Sequence, residues 1–193
     1  PSHVEREPLD TSCFLASAKE YIVDDESAGF RVVEEKSRRL FMHALSLDKD
    51  TVKYGSSIDF LLKKSPGWVA SVFSGAYGNP VRSFHGKTAG KGNSWVEWET
   101  ELPEAGEYEV FFYHSQPRNV IVDPKQEFHY TVYDGRAEHE VVASVGGNEV
   151  GWISLGIYRF SGDAKVTLCD KDRKDKFETK YGCLPQEIVA DAI

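Results

Sequence analysis

Residues 67–113 read GWVASVFSGAYGNPVRSFHGKTAGKGNSWVEWETELPEAGEYEVFFY, a series of β-rich segments separated by glycine loops. Within it, the run SWVEWETEL alternates with a period of two, which is the period of a half-buried strand. One face is predicted to hold Val96, Trp98, Thr100 and Leu102, and the other Trp95, Glu97, Glu99 and Glu101. Residues 103–106 predict a turn, after which Tyr108, Val110 and Phe112 are expected to point inward.

Other alternating or apolar segments follow along the chain, separated by turn residues. They cover residues 128–133, 136–141, 152–160, 165–169 and 188–193. Short strands at these intervals predict an all-β fold, an antiparallel β-sandwich of jelly-roll type. Trp98 and Trp152 are expected in its core, because of their positions in the pattern and the area that they would bury.

The expected domain organisation is a linker or leading strand over residues 1–20 and a single sandwich domain over residues 21–193. A chain of 193 residues is long enough to bury a core of its own. A short helical or irregular insertion is predicted near residues 31–66, with Ile58–Leu62 as a short strand. The pattern there is ambiguous, since Arg31–Val33 and Leu40–Met42 also fit strands.

The dipeptide Asp134-Gly135 predicts a β-hairpin, because it is strongly favoured in two-residue type I′ turns. A turn of that type would set the register of the two strands. The predicted pairs are Tyr133 with Arg136, Thr131 with Glu138, and His129 with Glu140.

The formal net charge of −8 argues against nucleic acid as a partner, because phosphate binding requires clustered Lys and Arg. No apolar run reaches about 18 residues, so no membrane insertion is expected. The chain displays no export signal, and its first and last residues suggest a piece of a longer polypeptide. A disulfide between Cys169 and Cys183 and buried free thiols are both compatible with the sequence.

Several blocks of the sequence resemble the golvesin and xanthan-lyase carbohydrate-binding-like domain family. The blocks are Leu102–Val110, Tyr130–Val132, Gly151–Gly156 with Tyr158 and Phe160, Ile188–Ile193, Tyr21–Asp25 with Gly29-Phe30, and Tyr77-Gly78 with Arg82. Together they span nearly the whole chain. Residues 31–66 and 170–181 look longer than the corresponding segments of that family.

The resemblance implies a β-sandwich accessory module, often found at the end of large secreted or surface proteins that act on polysaccharides. It implies no catalytic residue and no cofactor. The implied partners are a polysaccharide or oligosaccharide and the neighbouring domains of the same polypeptide, and the implied location is secreted, periplasmic or at the cell surface. Because the matching residues are mostly inward-facing or turn residues, they support the fold better than they support sugar binding.

Trp95 is the first candidate for ligand binding, because Val96 and Trp98 already occupy the inward side of its strand. A ring on the outer side could stack against the apolar face of a sugar, while Glu97 and Glu99 accept hydroxyl protons. The alternative is that Trp95 is covered by the insertion or by a sheet edge. Single exposed aromatic residues are common and need no functional explanation.

The outer face of the predicted hairpin is the second candidate. His129, Tyr133 and Arg136 would offer an aromatic ring beside hydrogen-bonding and charged groups that suit an anionic or hydroxyl-rich ligand. A solvated sheet face stabilised by cross-strand pairs is the plainer interpretation, and is favoured.

Residues 85–92 superficially resemble a phosphate-binding loop, but Val81 replaces the first glycine of that motif and a strand follows, so a mobile surface loop is expected. Asp170, Asp172 and Asp175 resemble a calcium run with basic residues interleaved and no distal glutamate. No metal site is therefore assigned, although a structural calcium elsewhere in the sandwich remains compatible with the sequence.

No nucleophile motif or assembled catalytic set is recognisable, so the chain is not expected to be an enzyme, although a parent protein could be a polysaccharide-active or other extracellular enzyme. The predicted function is a noncatalytic accessory module of a larger secreted or surface protein that binds polysaccharide. The alternative is a structural or protein-interaction β-sandwich domain that binds no sugar.

Overall fold

The computed structural model describes residues 20–34, 67–115, 123–146, 150–173, 176–179 and 182–193. Within these ranges the chain forms β-strands and no helix, so the all-β prediction is confirmed. The strands are β1 Phe30–Glu34, β2 Val69–Val72, β3 Ser83–Thr88, β4 Ser94–Glu101, β5 Gly106–His114, β6 Glu127–Tyr133, β7 Glu138–Ser144, β8 Gly151–Phe160, β9 Asp163–Cys169, β10 Lys176–Thr179, β11 Gly182–Pro185 and β12 Glu187–Ala190.

The strands form two layers. The first layer is an antiparallel sheet of order β1-β4-β9-β6-β7. In the second layer, β12 pairs with β3, which pairs with β2, and β5 pairs with β8. A backbone hydrogen bond of 2.8 Å from Tyr113 N to Ala192 O links β5 to the chain after β12. The small hairpin of β10 and β11 lies outside these sheets.

The core lies between the two layers, as the alternating pattern predicts. From the first layer it receives Val96, Trp98, Phe128, Tyr130, Val132, Val166 and Leu168, and from the second Val110, Phe112, Leu155, Phe160, Ile188 and Ala190. The ring of Phe112 lies 4.9 Å from that of Tyr130, which joins the layers through direct aromatic contact. Each such large apolar side chain contributes about 1.5–3 kcal/mol when it is fully buried.

Trp98 connects the layers through a polar contact as well as through packing. Its indole Nε1–H donates to the carbonyl oxygen of Asp191 at 3.1 Å, and its side chain is only 2% exposed. A buried tryptophan requires a partner for this N–H, because a buried donor without one costs about 1–3 kcal/mol. The prediction that Trp98 belongs to the core is confirmed.

The prediction that Trp152 belongs to the core is wrong, because this side chain is 39% exposed. Its strand contains a β-bulge: Val110 pairs with Gly156 while the next residue, Phe111, pairs with Ser154. The extra residue shifts the alternation by one, so Phe160 points inward but Trp152 points outward. Gly156 adopts a φ of +120° at this bulge, a conformation that glycine tolerates best.

The predicted hairpin exists, but its predicted register is wrong by two residues on the returning strand. The observed pairs are Tyr133 with Glu138, Thr131 with Glu140, and His129 with Val142. Four residues therefore connect β6 to β7, because the Asp134 carboxylate accepts hydrogen bonds from the backbone N–H groups of residues 136 and 137, each at 2.8 Å. A shift of two residues preserves which side chains face outward.

The same turn fixes the protonation of Asp134. Hydrogen bonds from the N–H of Ala137, from His139 and from the N–H of Arg136 lower the pKa of Asp134 to about 2. A side chain that satisfies successive backbone donors in this way replaces the tight turn with a longer one.

Two further expectations change. Residues 30–34 form β1, which supports the strand alternative for that segment, while residues 35–66 lie outside the described residues. The expected mobile loop at residues 85–92 is wrong in its first part, since Ser83–Thr88 is β3 and Lys87 is buried. The Lys87 ammonium donates to Asp170 Oδ2 at 2.6 Å, and Gly92 N donates to Asp170 Oδ1 at 2.6 Å, so Asp170 has structural partners.

Replacing Trp98 with alanine is expected to lower the free energy of unfolding by about 3–5 kcal/mol, through lost packing and an unpaired Asp191 carbonyl. The matched control is Trp152→Ala, for which a loss of about 1–2 kcal/mol is expected, because partly exposed aromatic contacts contribute less. Urea denaturation followed by circular dichroism measures both values. Equal losses for the two variants would contradict the assignment of Trp98 to the shared core.

Candidate functional site

The two sequence-predicted candidate sites lie on the same surface, the outer face of the five-stranded sheet. The strand registers align its outward side chains in three rows, taken from β1 or β4 toward β7. The first row is Val33, Trp95, Cys169, His129 and Val142; the second is Arg31, Glu97, Thr167, Thr131 and Glu140; the third is Glu99, Lys165, Tyr133 and Glu138. We call these residues the outer face.

Trp95 is held in place on the outer face by its neighbour two residues along β4. Its indole Nε1–H donates to Glu97 Oε1 at 2.8 Å. The other carboxylate oxygen of Glu97 accepts a hydrogen bond from Arg31 Nε on β1. The ring is therefore anchored at one edge through a chain of three side chains, and it is only partly exposed.

Glu97 is buried even though it points away from the core, because the Trp95 ring and the Arg31 side chain cover it. Burial raises its pKa, but the hydrogen bonds from Trp95 and Arg31, together with the charges of Arg31 and Lys165, lower the pKa overall. The carboxylate is therefore ionised at neutral pH and holds both donors.

The third row is more exposed. Arg31 Nη2 lies 3.2 Å from Glu99 Oε2, so one guanidinium group contacts both carboxylates of β4. The Lys165 ammonium lies 5.6 Å from the centre of the Tyr133 ring, a cation–π geometry. Trp95 and Tyr133 are two strands and four residues apart, which is about 16 Å between their Cα atoms from strand spacing and rise.

The structure does not bring all six predicted residues together. Trp95, Glu97, Glu99, His129 and Tyr133 lie on the outer face. Arg136 lies in the turn after β6, beyond the rows, and is exposed. Fixed rings beside carboxylate, guanidinium, hydroxyl and imidazole groups can stack against a hydroxylated ligand and exchange hydrogen bonds with it.

A second aromatic surface, which sequence reasoning missed, lies on the outer side of β5 and β8. The ring of Trp152 lies 5.3 Å from those of Tyr77 and Tyr113, which are 5.6 Å apart. Phe111 and Ile157 are also exposed on these strands. We call these five residues the aromatic patch. The bulge in β8 hides it from period-two analysis, because it reverses the expected direction of Trp152.

Buried carboxylates lie beside this patch. Asp191 is 2% exposed, and each of its oxygens lies 3.2 Å from the backbone N of Tyr77. Burial, reinforced by the charges of Asp25 and Asp24, raises the pKa of Asp191 to about 8. Burial and the charge of Asp25 also raise the pKa of Asp24 to about 6. These acids have no basic partner among their printed contacts strong enough to keep them ionised at neutral pH.

Asp25 differs from the other two acids because it has clear partners. Its carboxylate accepts from Ser83 Oγ at 2.8 Å and lies 3.0 Å from His85 Nδ1. Across the described ranges, no group of three or more His, Cys, Asp or Glu side chains is arranged to hold a metal ion. Cys169 carries a free thiol, and burial raises its pKa. The same ranges contain no helix that is long and apolar enough to cross a membrane.

Comparison with known proteins gives one family and one similar fold. The family model of the Golvesin C-terminal domain matches residues 60–193, which is more than half of the chain. A xanthan lyase of Paenibacillus matches with a TM-score of 0.55 and 18% identity, over 89% of this chain and 12% of that protein. The chain thus spans a small part of that lyase, and the likeness shows the fold alone.

A β-(1,4)-mannanase of Podospora anserina, described as GH26-CBM35, matches with a TM-score of 0.34 and 10% identity. That match covers 64% of this chain and 25% of the mannanase, and similarity at this level supports no structural conclusion. No curated protein matches the sequence.

The buried carboxyl of Asp191 predicts a pH-dependent stability. Because its folded pKa is raised above the unfolded value of 3.8 to about 8, protonation stabilises the folded state at low pH, and this contribution is lost as the pH rises toward 8. Asp191→Asn should therefore melt at nearly the same temperature as the wild type at pH 4 and at a higher temperature at pH 8.5. Thermal denaturation across this range measures the difference.

The control for this test is Asp163→Asn, which changes an exposed carboxylate at the start of β9. It should leave the difference in melting temperature from the wild type constant with pH. If Asp191→Asn also gave a constant difference, the raised pKa of Asp191 would be refuted.

Proposed function

The chain belongs to the Golvesin C-terminal domain family, and from this premise we propose that it is a noncatalytic accessory module that binds polysaccharide for a larger protein. We place the binding surface on the outer face of the five-stranded sheet. The larger protein is proposed to be secreted, periplasmic or at the cell surface, where polysaccharides are accessible.

The observation that supports this proposal most strongly is the anchoring of Trp95 by Glu97, which Arg31 holds in turn. A ring that is already fixed loses little conformational freedom when a ligand stacks on it, whereas a free side chain loses about 0.5–1.5 kcal/mol. Trp95 is also a large amphipathic group whose N–H is satisfied within the protein. Its accessible surface is therefore available for apolar contact with a sugar ring.

The groups around Trp95 supply the polar part of the interaction. His129 and Tyr133 lie along the next strands of the same face, and Thr131 and Thr167 lie between them and β4. Hydroxyl, imidazole and carboxylate groups together offer both donors and acceptors, as a hydroxyl-rich chain requires. The distance of about 16 Å from Trp95 to Tyr133 suits an extended ligand better than a single sugar.

The proposed role in the larger protein follows from tethering. A module that holds a polysaccharide raises the effective concentration of substrate for any domain attached to it. The xanthan lyase with the similar fold acts on a polysaccharide, as its name states. The identity of the polysaccharide bound by this chain is left to experiment.

Affinity gel electrophoresis against a neutral glucan, a mannan, a xylan and anionic xanthan tests the proposal. At least one polysaccharide should retard the wild-type protein, and Trp95→Ala should weaken that interaction about tenfold or more, which corresponds to about 1.4 kcal/mol. Ile157→Ala is the control, since Ile157 is 67% exposed on the opposite sheet. The proposal fails if no polysaccharide retards the wild type, or if Trp95→Ala migrates like the wild type.

A second candidate function is a structural or protein-interaction domain that binds no sugar, and the aromatic patch favours it. Exposed contiguous apolar surface commonly marks a protein contact. Trp152, Phe111 and Ile157 are 39%, 36% and 67% exposed, and they lie on one side of β5 and β8.

If a neighbouring domain covers this patch, amide hydrogen exchange near Trp152 and Ile157 should be slower in the intact parent protein than in the isolated chain. Exchange along β7 serves as the internal control, because β7 lies at the edge of the other sheet. Equal exchange of β8 in both proteins would exclude the packing role for this surface.

A further inference from the structure

The second layer contains a gap between β5 and the segment Glu20–Val23. The strand that includes β12 runs on to Ile193, which exchanges two backbone hydrogen bonds with Val23, of 2.9 and 3.0 Å. On the opposite side, Ala192 O accepts from Tyr113 N of β5 at 2.8 Å. Ile193 therefore lies between two flanking segments, and both continue past it in the direction of its strand.

The flanks beyond Ile193 are Glu20–Ile22 on one side and Gly106–Phe112 on the other. Adjacent strands are about 4.8 Å apart, so two segments that flank one strand are separated by about 9.6 Å. That separation accommodates one further extended segment. Among the described residues, β5 pairs with β8 along its other edge, and no printed backbone hydrogen bond reaches its facing edge before Tyr113.

The gap is a real cavity, with a volume of about 1130 Å³. Its floor is the apolar core, including Trp98, Val166 and Phe160. Tyr21 and Tyr108 reach toward each other from the two flanks, with ring centres 6.3 Å apart. Tyr21 follows the same alternation as buried Val23, yet it is 42% exposed, as expected for a floor residue beneath an open gap.

We propose that this gap is a strand-accepting site. Its occupant is an extended run of polypeptide joined to Ile193, which continues the direction of β12 and lies antiparallel to both flanks. The added strand would provide hydrogen-bond partners for the facing edge of β5 and cover the apolar floor, as in binding by strand addition. This inference is independent of polysaccharide binding, because it concerns the other layer.

The side-chain pattern of the occupant follows from the walls. Ile193 packs against the core, so the second and fourth residues after it face inward and must be apolar. The first, third and fifth face outward, next to Phe111, Glu109 and Glu107 in turn. The residues that line the gap include Glu20, Glu104, Glu107 and Glu109 and no Lys or Arg. Basic residues therefore suit the outward positions.

The test compares the 193-residue chain with versions extended after Ile193. Adding Thr-Val-Lys-Val-Lys places valine inward and lysine beside Glu109 and Glu107. It should raise the melting temperature by about 4 °C or more, since about 1 kcal/mol shifts a domain of this size by about 2–4 °C and two buried valines exceed that. Amide exchange over Gly106–Phe111 should slow about tenfold or more.

The matched control is the extension Val-Lys-Val-Lys-Thr, which has the same composition but places both lysines inward. It should leave the melting temperature and the exchange rates close to those of the unextended chain. Equal effects of the two extensions, or no effect of either, would overturn the proposal. Equal protection by free Thr-Val-Lys-Val-Lys peptide would show that the occupant is a separate partner, and protection that rises with protein concentration would show a second copy, so either result would refute the covalent source.

Discussion

The arrangement of this domain depends on the contact that Trp98 makes across its two layers. The indole ring fills the centre of the core from the first sheet, and its N–H satisfies the Asp191 carbonyl of the second. One side chain thus supplies apolar burial and the partner of a buried backbone acceptor. Because the layers are joined at this point, the opposite side of β4 is free to present Trp95, Glu97 and Glu99 outward.

The outer face and the gap in the second layer illustrate two consequences of sheet geometry. On the outer face, pairing of β4 with β9 and of β9 with β6 aligns residues that are distant in sequence, and Arg31 adds the hydrogen bonds that fix Trp95. In the second layer, pairing stops at Ile193 and leaves backbone groups of β5 without a strand beside them. The first surface is preorganised for a ligand, whereas the second is shaped for another strand.

Much of the fold could be predicted from the sequence, because period-two alternation is a local property. Val96, Trp98, Val110 and Phe112 are inward-facing as their pattern indicates. The prediction failed where a local feature changed the count of residues. The bulge opposite Val110 reversed Trp152, and the Asp134 carboxylate lengthened a turn that the Asp134-Gly135 dipeptide indicated would be short. The candidate residues of β4 and β6 were predictable as outward-facing, but their alignment required β9 between them, and strand order is not encoded in alternation.

The central claim, that a fixed Trp95 on the outer face contacts polysaccharide, is tested most directly by two-dimensional ¹H–¹⁵N NMR of the four tryptophan indole N–H groups. An oligosaccharide of the polysaccharide that retards the protein is titrated into the labelled domain. The account predicts that the Trp95 signal shifts with ligand concentration, while the signals of Trp68 and Trp98, both buried with hydrogen-bonded indoles, stay in place. A titration in which Trp152 shifts and Trp95 does not would contradict it.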